Sequence, residues 1–375
     1  KGYTSGYAAG QTAYNTENAA GTNAGSADAL AGKVPADLTS EPKGYQDGYT
    51  TAYSTARTSY ETDYQNGQVT GQTDGTNNKT TDNTGKAAGY QAGYQDGHQT
   101  GEQLYNTAKT VGTTAGNSDG LAGKPSADLS HQPQGYQDGY NAAYKAAKGS
   151  YDTDEITGTA VGASDGLAGK TTPADLTGKS AGYKAGYTNG YTTGQKTYST
   201  EKTAGAKAGT ADGLSGKTPV DVTNQSQGYQ DGYNADYKAG KASYDTDEVT
   251  GVANGVATGL AGKTQTDLTG KSAGYTAGYT NGYTAGQKAY NAEKAAGTKA
   301  GTADGLAGKT SAELSKQPQG YQDGYKAAYK AGKTSYDTDE VTGVADGVAT
   351  GLAGKTKADL TGKSTGYIKG YTSGY

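Results

Sequence analysis

Residues Ala273–Gly286 read AGYTAGYTNGYTAG, with Gly274, Gly278, Gly282 and Gly286 four apart and Tyr275, Tyr279 and Tyr283 directly after the first three. A spacing of four belongs to a helix, because side chains four apart share a helical face, whereas a strand would alternate by two. Tyr290 follows seven residues after Tyr283, and a second row continues at Gly297, Gly301 and Gly305. Glycine costs a helix interior about 1 kcal/mol against alanine, so a row of them needs a compensating gain. Close approach of two backbones is the physical candidate, since a glycine row forms a groove in which a neighbouring helix settles. Rows four apart favour a crossing near −50°. Adjacent Tyr rings can cover the bare backbone while their hydroxyls face water, which accounts for a chain whose aromatics are all Tyr.

Outward from this stretch the pattern recurs. Asp175-Leu176, Asp267-Leu268 and Asp359-Leu360 are spaced by 92, Asp221-Val222 and Glu313-Leu314 fall midway, and Asp37, Asp82 and Asp128 extend the series backwards. The unit is therefore 46 residues. KGYTSGY stands at Lys1–Tyr7 and again at Lys369–Tyr375, 368 residues later, which is eight units. The expectation is that residues beyond Tyr375 repeat those after Tyr7, with a higher-order repeat of eight units. The boundaries are a partial repeat at 1–34, a degenerate repeat at 35–80, repeats at 81–125, 126–172, 173–218, 219–264, 265–310 and 311–356, and a partial repeat at 357–375.

Units alternate between two types. The second keeps the frame with Gly320, Gly324, Ala328 and Gly332, then Gly343, Gly347 and Gly351, and places Val344, Val348 and Leu352 after the later glycines. In the copy from Pro35 to Thr80 those apolar places hold Gln68, Gln72 and Thr76, so it is expected to open first. Thr310 to Glu313 and Thr172 to Asp175 fit capped helix starts, with Pro173 at a first helical position. Asp337 to Glu340 reads as a second capping box after Tyr336, and Asn291 and Ser199 occupy the same place in the other type. Gly308 and Gly354, each followed by Lys, suit helix C-termini. These signals predict a short helical turn, a Gly-Tyr helix of about 18 residues and a second helix of about 14 per unit. The fold class is all-α, tandem helical hairpins with Gly-x-x-x and Tyr stripes, as an elongated rod or α-solenoid.

Composition narrows the function. The chain has 375 residues with 63 Gly, 34 Tyr, no Cys, Met, Trp or Phe, and a net charge of −4. Leu, Ile and Val are too scarce for a large conventional core, yet the charge is too low for typical disorder. Without cysteine there is no disulfide scaffold, thiolate site or Cys nucleophile. Lacking every readily oxidised residue except Tyr suits an extracellular or wall-attached place. No apolar run is long enough to span a membrane.

Candidate sites resolve into architecture. GKT at Gly262, Gly308 and Gly354 lacks the earlier glycine and the preceding strand of a phosphate loop. Gly162 to Gly166 and Gly116 to Gly120 match G-x-S-x-G, but other units carry Ala211 or Ala303 in the Ser column, and only His98 and His131 could serve as base. Asp152, Asp154 and Glu155, repeated at Asp245, Asp247 and Glu248, lack the central Gly and distal Glu of a calcium loop. Tyr with Lys on a negatively charged chain gives no footprint for nucleic acid. No catalytic, cofactor or metal residue is expected.

GYQDGY and GYTAGYTNGY resemble the Gly-x-x-x helices of cytosolic iron–sulfur assembly adaptors, which implies Gly-striped helical packing and no activity. Across the whole chain the Tyr, Thr, Lys and Gly richness is similar to repeat regions of secreted surface proteins in lactic-acid bacteria. That resemblance implies a stalk, filament or adhesin shaft. Its partners would be neighbouring repeats of the same chain, further copies in fibres, and a glycan or host surface. Two other classes fit the composition: a module binding glycan, mucus or ice through Tyr and Thr faces, and an unfolded hydration or stress protein. Exposed Thr faces would suit O-glycans.

Overall fold

The computed structural model describes residues 1–375 and contains nine helices. They are α1 (Gly2–Leu30), α2 (Lys43–Thr76), α3 (Ala88–Leu121), α4 (Gln134–Leu167), α5 (Ala181–Leu214), α6 (Gln227–Leu260), α7 (Ala273–Leu306), α8 (Gln319–Leu352) and α9 (Thr365–Gly374). The chain adopts the all-α tandem repeat expected from its glycine spacing. Its contacts divide into two compact units, Lys1–Gly166 with Lys170–Gly194, and Leu167–Gly169 with Gln195–Tyr375, the boundary falling within α5.

Each unit of sequence contributes one helix and not a hairpin. Helices α2 to α8 are 34 residues long, roughly 51 Å at 1.5 Å per residue. Asp337 and Glu340 lie inside α8 and Asn291 inside α7, so none of them caps a helix. The physical reason is visible on α8. The Asp337 carboxylate is taken by Lys333 on the preceding turn, and the Thr338 hydroxyl donates to the Thr334 carbonyl at 2.9 Å. Nothing in that stretch frees a backbone N–H for a cap.

Within the second compact unit the direction of packing follows from the glycines. A Cβ on Gly274, Gly278, Gly282 or Gly286 would run into the carbonyl oxygens of Tyr244, Glu248, Val252 and Val256, respectively. The offset is a constant 30 residues, so α6 and α7 run in the same direction. Later in α7, Gly297, Gly301 and Gly305 face Tyr321, Tyr325 and Tyr329 of α8. The first half of a helix therefore lies on the second half of its predecessor, and its own second half receives its successor. At 3.6 residues per turn the two glycine rows of one helix are on the order of 120° apart. The first compact unit repeats the scheme, with Gly89, Gly93, Gly97 and Gly101 of α3 against Tyr60, Tyr64, Gln68 and Gln72 of α2.

Parallel neighbours need a returning connection. Ala261 to Ser272 must run back along about half a helix, some 26 Å, which twelve extended residues can span. Each turn out of a helix is a Schellman motif. At the end of α7, Gly308 has φ +68°, its N–H donates to Gly305 O at 3.0 Å and Lys309 N–H donates to Asp304 O at 3.1 Å. Gly308 and Gly354 thus end helices as expected. Thr310, Glu313 and Pro173 do not begin them and lie in the connection. The Glu313 carboxylate accepts from Ser315 N–H at 3.0 Å, closing a local turn in place of a helix start. The helices begin later, at Ser272 for α7, whose hydroxyl accepts from Tyr275 N–H at 3.2 Å, and at Pro318 for α8.

The buried hydrophobic set is small and dominated by Tyr, with Tyr49, Tyr140, Tyr187, Tyr233, Tyr279, Tyr325 and Tyr371 at 2 % exposure or less. Val344 and Val348 remain 38 % and 40 % exposed. At the corresponding places of α6, which α7 covers in full, Val252 is 37 % exposed and Val256 and Leu260 are half-buried, where α2 holds Gln68, Gln72 and Thr76. The glycines of that unit, Gly67, Gly71 and Gly75, keep their contacts with α3.

Candidate functional site

The recurring site is a tyrosine clamp that ties each returning connection to two helices. Glycine at Gly320 and Gly324 brings α8 against α7, and this sets Tyr321, Tyr325 and Tyr329 in a stack along the junction. Ring centroids are 6.2 Å apart for Tyr321–Tyr325 and 5.7 Å for Tyr325–Tyr329, with near-parallel planes. Tyr325, the middle ring, is 1 % exposed. Its hydroxyl accepts from the Ala312 N–H of the connection at 3.0 Å and donates to Asp304 Oδ2 of α7 at 3.0 Å. The Tyr329 hydroxyl donates to the Lys309 carbonyl at 2.7 Å. The hydroxyls expected to face water are thus engaged in holding the connection. This explains why Tyr, and not Phe, fills these positions: Phe would leave a part-buried N–H without a partner.

The fourth tyrosine works across two junctions. The Tyr290 ring lies on Gly262, at the end of α6, while its hydroxyl donates to Asp323 Oδ2 of α8 at 2.7 Å. Tyr336 lies in the same way on Gly308. A left-handed glycine without a side chain is therefore needed twice over, for its φ and for the ring that covers it.

The aspartates complete the clamp. Asp304 pairs with Lys309 at 3.0 Å, and equivalent pairs join Asp212 to Lys217 at 3.1 Å and Asp119 to Lys124 at 2.9 Å. Hydrogen bonds from Lys309, then from Tyr325, hold the Asp304 carboxyl below its ordinary value. Burial, with the adjacent Asp304 carboxylate, pushes the Tyr325 hydroxyl up against the opposing Ala312 N–H. Helices α6 and α8 lack this aspartate. Thr258 stands where Asp304 would be, and Tyr279 instead donates to Thr266 Oγ1 at 2.9 Å. Burial raises Tyr279, but hydrogen bonds from Thr258 and Thr266 outweigh it, and its hydroxyl falls below the usual tyrosine value. In α3 His98 takes the third aromatic place, its Nε2 2.8 Å from the Lys79 carbonyl.

The structure gathers most of the sequence-designated stripe at these junctions. Gly274, Gly278, Gly282, Gly286, Gly320, Gly324, Gly343 and Gly347 face backbone of an adjacent helix, and Gly351 meets only Tyr375 at 3.0 Å. Tyr275, Tyr279, Tyr283 and Tyr290 lie in the clamp, with Tyr283 donating to the Lys263 carbonyl at 3.0 Å. The Asp of Asp-Gly-Leu and the Lys of Gly-Lys were missed as clamp residues. Their signal is recurrence in phase with the tyrosine triplet, without exception for the Lys and broken only at Thr258 and Thr350 for the Asp. The Lys of each Gly-Lys-Thr belongs to this ion pair or to the turn, and Gly116 and Gly162 pack on the carbonyls of Tyr140 and Tyr187. Asp152 pairs with Lys148 along α4. No helix is long and apolar enough to cross a membrane. No family model, curated protein or solved structure matches the chain.

Proposed function

We propose that the chain is a structural repeat array of an extracellular or cell-surface protein, acting as a stalk, filament or adhesin shaft. The observation that carries this reading is the recurrence of one clamp at successive junctions, from Tyr49 with Ala36 and Asp28 to Tyr371 with Ala358. Residues spent on the same contact in unit after unit make each repeat the partner of the next. Drawing one helix from its neighbour has to break a row of backbone contacts together with the hydroxyl bonds that anchor the connection, so load is shared along half a helix. The lack of Cys, Met and Trp supports an oxidising location.

Two tests apply. Antibody against the repeats should label intact, unpermeabilised cells of the source organism; label appearing only after permeabilisation refutes the location. Pulling single molecules should give evenly spaced unfolding steps of roughly 160 Å of contour per 46-residue unit. Irregular steps or one global rupture would refute the modular shaft.

A second reading, glycan binding, is favoured by an open groove of about 470 Å³ between α1 and α2, lined by Asn18, Thr22, Ser26, Thr51, Thr55 and Ser59 among others. A glycan array probed with the chain tests it, and Thr51→Val with Thr55→Val should remove any signal.

A further inference from the structure

The junction of α6 with α7 has one period in everything that faces it. Gly274, Gly278, Gly282 and Gly286 of α7 meet the carbonyls of Tyr244, Glu248, Val252 and Val256, while Gly251, Gly255 and Gly259 of α6 meet those of Tyr275, Tyr279 and Tyr283. The ring stack repeats at the same spacing, with centroids 6.0 Å apart for Tyr275–Tyr279 and 6.2 Å for Tyr279–Tyr283. A shift of α7 by one row therefore lays glycine on carbonyl and ring on ring again. At the next junction carboxylates fix the register: Asp304 holds Tyr325 at 3.0 Å and Asp323 holds Tyr290 at 2.7 Å. Between α6 and α7 both carboxylates are missing, because Thr258 and Ala277 occupy the two places.

We propose that α7 has a second seat on α6, one turn or about 6 Å toward its own C-terminus, and slides into it under load. In that seat Gly274, Gly278 and Gly282 face the carbonyls of Glu248, Val252 and Val256. Tyr275 takes the place of Tyr279 at Thr266, where the hydroxyl accepts from the N–H at 3.1 Å and donates to Oγ1 at 2.9 Å. Tyr279 takes the place of Tyr283, which donates to the Lys263 carbonyl at 3.0 Å. The residue brought toward the Tyr244 carbonyl is Gly270, again a glycine. The connection from Ala261 to Ser272 permits the move, since its return path shortens by the same turn. At rest the first seat is preferred, because there Tyr290 covers Gly262 and the slide leaves Gly286 in that place. The opposite movement is blocked, because it drives the Tyr290 side chain onto the Val256 carbonyl. The junction thus has two discrete packings, as interlocked close-packed surfaces do when they cannot deform continuously. The proposal concerns this junction alone and holds whether or not the chain is an extracellular shaft.

Gly286→Tyr is the substitution that separates the two seats. In the first its side chain runs into the Val256 carbonyl, whereas in the second it arrives where Tyr290 covers Gly262, a place that already takes a tyrosine ring. Spin labels at Thr246 of α6 and Thr302 of α7, both exposed, report the axial position of the helices in the full chain. The expected result is unchanged circular dichroism and a single distance about 6 Å longer in Gly286→Tyr than without it. Gly278→Tyr meets a carbonyl in either seat, so it should lose exchange protection in α6 and α7 without that lengthening. The same two sites serve as handles for optical tweezers, which pull α7 in the sliding direction. The unsubstituted helices should lengthen reversibly by about 6 Å before they part, and Gly286→Tyr should part without that step. The proposal is overturned if the label distance in Gly286→Tyr stays as it was or scatters with loss of protection, or if Gly278→Tyr lengthens equally. It is overturned as well if the unsubstituted helices part with no earlier step.

Discussion

Replacing Gly278 with Ala sets two effects of opposite sign against each other. As a helix-interior change it favours folding by about 1 kcal/mol. At this position, however, a Cβ would lie 2.8 Å from the Glu248 carbonyl carbon and 2.9 Å from its Cα, with the oxygen closer still. These are backbone atoms, so relief requires α6 and α7 to part by about 1 Å, which forfeits a quarter to a half of each contact's well. Cα–H···O contacts of about 0.5–1 kcal/mol each are loosened at Gly274, Gly282, Gly251 and Gly255 as well, for a net cost of about 1–3 kcal/mol. The control is Gly149→Ala in α4, where the new Cβ meets nothing within 4 Å, and a stabilisation of about 0.5–1 kcal/mol is expected. Native-state hydrogen exchange of α6 and α7 for the first variant, and of α4 for the second, reads each effect locally. Greater protection of α6 and α7 in Gly278→Ala would refute close backbone approach as the reason for the glycine row. Gly282→Ala should cost about as much, since its Cβ would lie 2.9 Å from the carbonyl carbon and Cα of Val252; Ala328, at that place in α8, stands at a wider junction. One turn beyond Ala328, the gap at Gly332 to Thr302 O is 3.1 Å, against 2.5 Å for Gly286 to Val256 O.

Tyr325→Phe strands the Ala312 N–H and should cost about 1–3 kcal/mol in local exchange protection, while Tyr279→Phe, which loses no carboxylate partner, should cost less; equal costs would remove Asp304 from the clamp. The pH dependence has two arms. The Asp304 carboxyl is held below its ordinary value, so its contribution is complete above that value and is lost as pH falls through the depressed one. Tyr325 is raised above 10.0, so its contribution is complete below that value and is lost as pH rises through the raised one. Melting followed from pH 2 to 12 (about the range of both arms) should therefore show a plateau at neutral pH with losses at each end. Asp304→Asn should flatten the acid arm locally, and an unchanged arm would contradict the assignment.

The period, the helical class and the role of glycine were legible because each rests on spacing, and Gly278 or Gly324 leaves no other economical reading of four-residue recurrence. The division within a unit was not. Asp337-Thr338-Asp339-Glu340 satisfies a capping-box pattern, but the pattern is read only if a chain break precedes it, and Lys333 on the preceding turn claims Asp337 instead. The parallel direction was hidden for a related reason. A 12-residue connection rich in Gly and Thr resembles a hairpin loop, and its length as a return path becomes apparent only when the Tyr279 hydroxyl is seen to meet Thr266 N–H at 3.1 Å. The clamp aspartates escaped notice because Asp-Gly-Leu before Gly-Lys reads as ordinary helix termination, and their tyrosine partners lie about 21 residues away, beyond any local motif.

The claim on which the rest depends is that each unit holds one continuous helix. The chain has no cysteine, so spin labels can be placed cleanly at Thr280 and Thr302, both exposed on α7 and near the same face. Pulsed electron resonance should give a single distance of about 33 Å between these sites, 1.5 Å for each residue between them, widened only by the label arms. A hairpin with a break near Asn291 would fold the two labels to within about 15 Å, at helix-packing distances, and that shorter distance would contradict the account.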